Sequence, residues 1–76
     1  MRGLRTDLTL ELKNKLGSDC HVIVQGLGKK ISVEVPEKHW EKVADIIEIE
    51  FNYIITEIAN AVLEDDTKLV EIQGVQ

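Results

Sequence analysis

Apolar residues recur along this chain in three rhythms, and each predicts a different element. Leu4, Leu8, Leu12 and Leu16 stand four apart, the spacing of a slowly drifting stripe on a helix. Thr6 is a suitable cap for that helix, Asp7 falls in its first turn, Lys13 and Lys15 in its last, and Gly17 after its end. The same residues also read as a strand, because Leu8, Leu10 and Leu12 alternate with Thr9 and Glu11. Leucine favours helix and the segment has almost no β-branched residues. Residues 6–16 are therefore read as a helix, with strand as the alternative.

The second rhythm has period two. After the turn Gly17-Ser18-Asp19, the β-branched run His21 to Gln25 reads as a strand. Gly26-Leu27-Gly28-Lys29 follows, and Ile31 to Val35 then alternates apolar with polar. Two strands around a short glycine-containing loop predict a β-hairpin.

The third rhythm is helical and long. Pro36 suits a helix entry, and Lys38 to Leu63 contains neither Gly nor Pro. On a helical projection Trp40, Val43, Ala44, Ile47, Phe51, Ile54, Ile58, Ala61 and Val62 share an arc of about 100°, the face expected to pack on the hairpin. Glu37, Glu41, Asp45 and Glu48 share a solvent-facing arc. Ile46, Ile49 and Tyr53 form a second apolar stripe, and Ile55, Ala59 and Leu63 extend apolar character on a third side. After Glu64-Asp65-Asp66, Lys68 to Gln73 reads as a short strand that joins the hairpin sheet or pairs with another chain. The predicted class is α+β, in one small domain over residues 1–76: a short N-terminal helix (or strand), an antiparallel β-hairpin, one long amphipathic helix and a short C-terminal strand.

Length sharpens the second stripe. A chain of 76 residues buries only about 60% of its unfolded surface. It has little with which to cover a helix that is apolar on several sides. The simplest cover is a second copy, so a homodimer through Ile46, Ile49 and Tyr53 is expected. Otherwise the first helix and the last strand cover everything themselves.

Composition is that of an ordinary globular protein, 43% hydrophobic and 30% charged. The single cysteine, Cys20, allows no internal disulfide and fits a reducing compartment. No apolar run approaches the roughly 18 residues of a membrane span, and the first residues lack the apolar stretch of a secretory signal. A cytoplasmic protein is expected.

Net charge is −5 and unevenly placed. Residues 1–30 hold Arg2, Arg5, Lys13, Lys15, Lys29 and Lys30 against three acids, whereas residues 31–76 hold three lysines against eleven acids. A broad nucleic-acid footprint needs the opposite balance. A dimeric nucleic-acid binder would have to gather the basic residues of positions 2–30 onto one face.

Candidate chemistry is sparse. Cys20 and His21 are adjacent, so on a strand they point to opposite faces and make no thiolate–imidazole pair. One Cys and two distant His, His21 and His39, are too few for a metal site, and neither a cofactor nor a catalytic set is expected. Gly26-Leu27-Gly28-Lys29-Lys30 is a fragment of a phosphate loop, but a strand follows where a helix is required.

The residues thus point to a protein-binding module rather than an enzyme. Its expected contact residues are Glu37, Glu41, Asp45, Glu48, Ile46, Ile49 and Tyr53. In size and charge, and in no motif, the chain resembles the short acidic inhibitors made by bacteriophages. That format implies regulation or inhibition of a larger partner by occupying its basic, nucleic-acid-binding surface. The alternative is a self-associating assembly module.

Overall fold

The computed structural model describes residues 3–27 and 29–76, with Leu27 in its backbone only. Arg2 and Gly28, named above among the basic residues and in the hairpin loop, lie outside the described residues. The order of elements is α1 (Leu4–Leu16), β1 (Ile23–Leu27), β2 (Lys30–Pro36), a 3-10 turn (Glu37–His39), α2 (Trp40–Asp45), a π-helical turn (Ile46–Glu50), β3 (Ile54–Glu64) and β4 (Thr67–Val75). The four strands form one antiparallel sheet in the order β1-β2-β4-β3.

Helix is the correct reading of residues 6–16. Leu8 and Leu12, one turn apart, are buried, whereas Leu10 between them is exposed. A strand would have put all three on one side. The helix starts at Leu4, two residues before Thr6, with Gly3 at its N-cap. Gly17, at φ 117, ends it.

β1 and β2 form the predicted hairpin, with Leu27 opposite Lys30. Gly26 is required there. Its φ is 143, and a Cβ on it would lie 2.3 Å from the Lys30 carbonyl oxygen.

The long helix does not form. The helical run that begins at Glu37 widens into the π turn and stops at Phe51. Asn52 adopts φ 61, a left-handed conformation that asparagine tolerates better than most residues. The Tyr53 N–H donates to the Ile47 carbonyl at 3.1 Å, closing the end. The β-branched run Ile54-Ile55-Thr56 then opens β3 rather than extending the helix. Asp65 and Asp66 follow at φ 49 and 63. Positive φ at both central residues is the signature of a type I′ two-residue hairpin, whose twist matches the flanking strands. It sets Glu64 against Thr67 and starts β4. The expected short C-terminal strand is therefore a central one, paired with β2 on one side and β3 on the other.

Both helical segments cover the same side of the sheet. Leu8 and Leu12 from α1, Val43 and Ala44 from α2, and Ile46 and Ile47 from the π turn pack on Ile31, Val33 and Val35 of β2 and on Val70 and Ile72 of β4. Register explains the sheet's share: Val33 faces Ile72 and Val35 faces Val70. Among the described residues, no helix is long and apolar enough to cross a membrane.

Candidate functional site

The expected contact residues divide. Ile46 and Tyr53 are 5% and 2% exposed and belong to the core, while Ile49 is 74% exposed. The three do not form one stripe, because the helix widens after Asp45 and reverses at Asn52, which turns Tyr53 inward. The Tyr53 hydroxyl is buried without a hydrogen-bond partner among the described residues, and burial raises its pKa. Of the acids, Glu37 is bonded to Lys68 at 3.1 Å. Glu41 and Asp45 on α2 and Glu48 on the π turn stay exposed at helical spacing.

Among the described residues, β3 carries the most exposed large apolar side chains. It pairs with β4 along one edge only and forms a border of the sheet. Ile54, Ile58, Val62 and Leu63 are 67%, 44%, 59% and 69% exposed. Three of them, Ile54, Ile58 and Val62, fall on the core arc expected of the long helix. They are uncovered because the helical segments pack mainly over β1, β2 and β4. The register shifts between Ile55 and Glu57 and between Asn60 and Leu63 mark bulges. They set Ile55, Ile58, Asn60 and Leu63 on the helix side of the sheet, opposite Gly74, Ile72, Val70 and Lys68. A shallow cleft of about 180 Å³ lies there, lined by Trp40, Ile58 and Asn60.

The other face of the sheet carries no helix and is acidic. Register places Glu34, Glu57, Glu64 and Glu71 on it. Glu34 stands directly opposite Glu71, a like-charge pair that costs stability unless each has a partner. His21 Nε2 lies 2.9 Å from Glu34 Oε1, and Gln73 Nε2 donates to Glu71 Oε1 at 2.9 Å. Leu69 is buried on this face beside a cleft of about 760 Å³, which His21, Cys20, His39 and Glu64 also line. The donor atoms of His21, Glu34 and Glu64 all lie within 4.8 Å of one another. Sequence reasoning missed this cluster because its members are distant in the chain. Only the strand register brings them together.

Cys20 is not activated. Partial burial pushes its thiol up, more than the nearby Lys38 and Lys13 draw it down. In the basic N-terminal half, Lys15 is bonded to Glu50 at 2.8 Å and to Glu11 at 3.3 Å. Glu50 and then Glu11 raise the Lys15 pKa. The neighbouring Glu11 carboxyl group, and then Lys15, lower the pKa of Glu50. This lysine is thus committed to joining α1 to the end of the π turn.

Comparison with protein-family models, with characterised proteins and with solved structures finds no match to the chain.

Proposed function

We propose that this is a small non-enzymatic module of the cytoplasm that regulates or inhibits a larger protein by binding it along β3. The observation that carries the reading is the uncovered edge of that strand. An edge strand offers unpaired backbone N–H and C=O groups, and proteins commonly guard such edges with lysine, proline or charge. Here Ile58 to Leu63 holds no charged residue, and the bulge between Asn60 and Leu63 is the guard it carries. Strand addition draws its affinity from backbone hydrogen bonds and its specificity from alternate side chains. Burying one isoleucine or leucine fully contributes about 1.5–3 kcal/mol before ordering costs.

Charge indicates the kind of partner. The acidic sheet face adjoins β3, and Glu41, Asp45 and Glu48 line the exposed side of the helical run. A partner with a basic contact surface is favoured, of the kind that otherwise holds nucleic acid. The test is capture from a cell extract by the wild-type protein, by Ile58→Lys/Val62→Lys and by Glu41→Lys/Glu48→Lys. A specific partner lost with the first variant and weakened with the second supports the reading. Equal recovery by all three overturns it.

Self-association is the second reading, and one feature of β3 favours it. Antiparallel pairing of two copies about Asn60 brings together the uncharged stretch Ile58 to Leu63 of each, so no carboxylate faces another within it. Light scattering over a range of concentrations separates the two. A dimer that Val62→Lys dissociates assigns the edge to a second copy. A monomer leaves it to a foreign chain.

A further inference from the structure

We infer that His21, Glu34 and Glu64 form a binding site for one divalent transition-metal ion of the zinc class. Three segments supply them: the loop before β1, the middle of β2 and the last residue of β3. The donor atoms already lie within 4.8 Å of one another, with His21 and Glu34 at 2.9 Å. Zinc bound at roughly 2.0–2.2 Å by nitrogen and oxygen in tetrahedral geometry needs donors about 3.3 Å apart. The His21–Glu34 pair opens from 2.9 Å to about that distance as the ion takes the place of the proton between them, and rotation of the exposed Glu64 side chain brings in the third donor, while the sheet holds the Glu34 backbone.

The electrostatics favour a cation. Two carboxylates converge on one imidazole, and Glu71 stands opposite Glu34 in the next strand. Among the described residues, neither Glu34 nor Glu64 is ion-paired with a lysine or arginine. Among the described residues His21 is the only cationic partner of Glu34, and only when protonated. A divalent ion replaces the proton between His21 and Glu34 and offsets both carboxylates. The imidazole selects the metal, since nitrogen donors favour zinc, nickel and copper over magnesium and calcium. Three protein ligands leave a fourth position suited to water, and two of them, His21 and Glu64, line the cleft described above. Such an ion would tie the β3–β4 hairpin tip to the loop ahead of β1.

The experiment is a titration of the purified, metal-stripped chain with Zn2+, followed by calorimetry and thermal melting, with Co2+ absorption reporting ligand geometry. The expected result is one Zn2+ per chain and a melting temperature raised by roughly 5 °C or more at tenfold excess over Kd. Glu64→Gln and His21→Ala should each weaken binding at least about tenfold. Glu64 is exposed, so its variant keeps the fold, as circular dichroism would verify. Cys20→Ser and His39→Ala should bind like the wild type. The assignment is overturned if Zn2+ does not bind, if binding survives Glu64→Gln, if Cys20→Ser or His39→Ala abolishes it, or if Mg2+ binds equally well. None of these readings depends on β3 having a partner.

Discussion

At the scale of single residues, two positions show how the tertiary environment assigns a role that residue type does not. Tyr53 has the composition of a contact residue, an aromatic ring with a polar tip. The core nonetheless takes the whole side chain and leaves the hydroxyl without a partner among the described residues. A buried unsatisfied hydroxyl costs about 1–3 kcal/mol. Tyr53→Phe should therefore unfold at equal or higher urea concentration than the wild type, by up to about 1 kcal/mol. A clear loss of stability would reveal a partner for the hydroxyl. Tyr53→Glu should unfold the chain, because it places a carboxylate in that core. Gly26 is the converse case, a residue whose missing side chain is its function. With φ 143 and the Lys30 carbonyl where a Cβ would be, Gly26→Ala should cost about 2 kcal/mol or more in a denaturant melt. A neutral result would mean that the β1–β2 loop relaxes freely.

At the scale of elements, β3 is the informative failure of sequence reading. Its inward positions, Ile55, Ile58, Asn60 and Leu63, are spaced three, two and three apart because of its two bulges. A bulge adds a residue without advancing the pairing, so the period-two signature of a strand is lost and the spacing imitates a helix. Some signals of the true structure were present: Asn52 before a β-branched run, and Asp65-Asp66 between apolar stretches. Read with turn chemistry, they mark a helix end and a two-residue hairpin. An uncovered edge should also show in dynamics. Backbone amides of β3 that do not pair with β4 should exchange with solvent at least about tenfold faster than those of central β4 in the isolated monomer, read by hydrogen–deuterium exchange. Uniform protection along both strands would mean that the edge is already covered.

At the scale of the whole molecule, the contact joining Lys15 with Glu11 and Glu50 links the first helix to the end of the second helical run. Its pH dependence has a definite sign. Glu50 is held below its ordinary value, so its contribution is present above the ordinary carboxylate range and is lost as pH falls through its lowered value. Lys15 is raised, so its contribution is present below its ordinary value and is lost as pH rises through the raised one. Both act together near neutrality. Glu50→Gln should lower the denaturation midpoint at pH 7 and flatten the acid limb of the stability profile, with the gap to wild type closing as pH falls below the carboxylate range. A gap that stays constant with pH would assign Glu50 a packing role instead.

The chain by itself determined what depends on near neighbours. Residues 6–16 carry the leucine spacing and terminal charges of a helix, and Ile31 to Val35 carries the alternation of a half-buried strand. The acids of Glu37 to Glu48 follow helical spacing and remain largely outside. These follow from local propensity and from one-sided burial, so the α+β class was legible. Tertiary structure decided the rest. Residues 54–64 are apolar enough to suit either a helix or a strand, and the deciding term was a β4 able to pair with them over most of their length. Burial of Tyr53 follows from the reversal at Asn52, exposure of Ile58 and Val62 from the place of β3 at the border of the sheet, and the convergence of His21 with Glu34 and Glu64 from the order of all four strands. Strand order joins residues far apart in sequence, and no local spacing encodes such contacts.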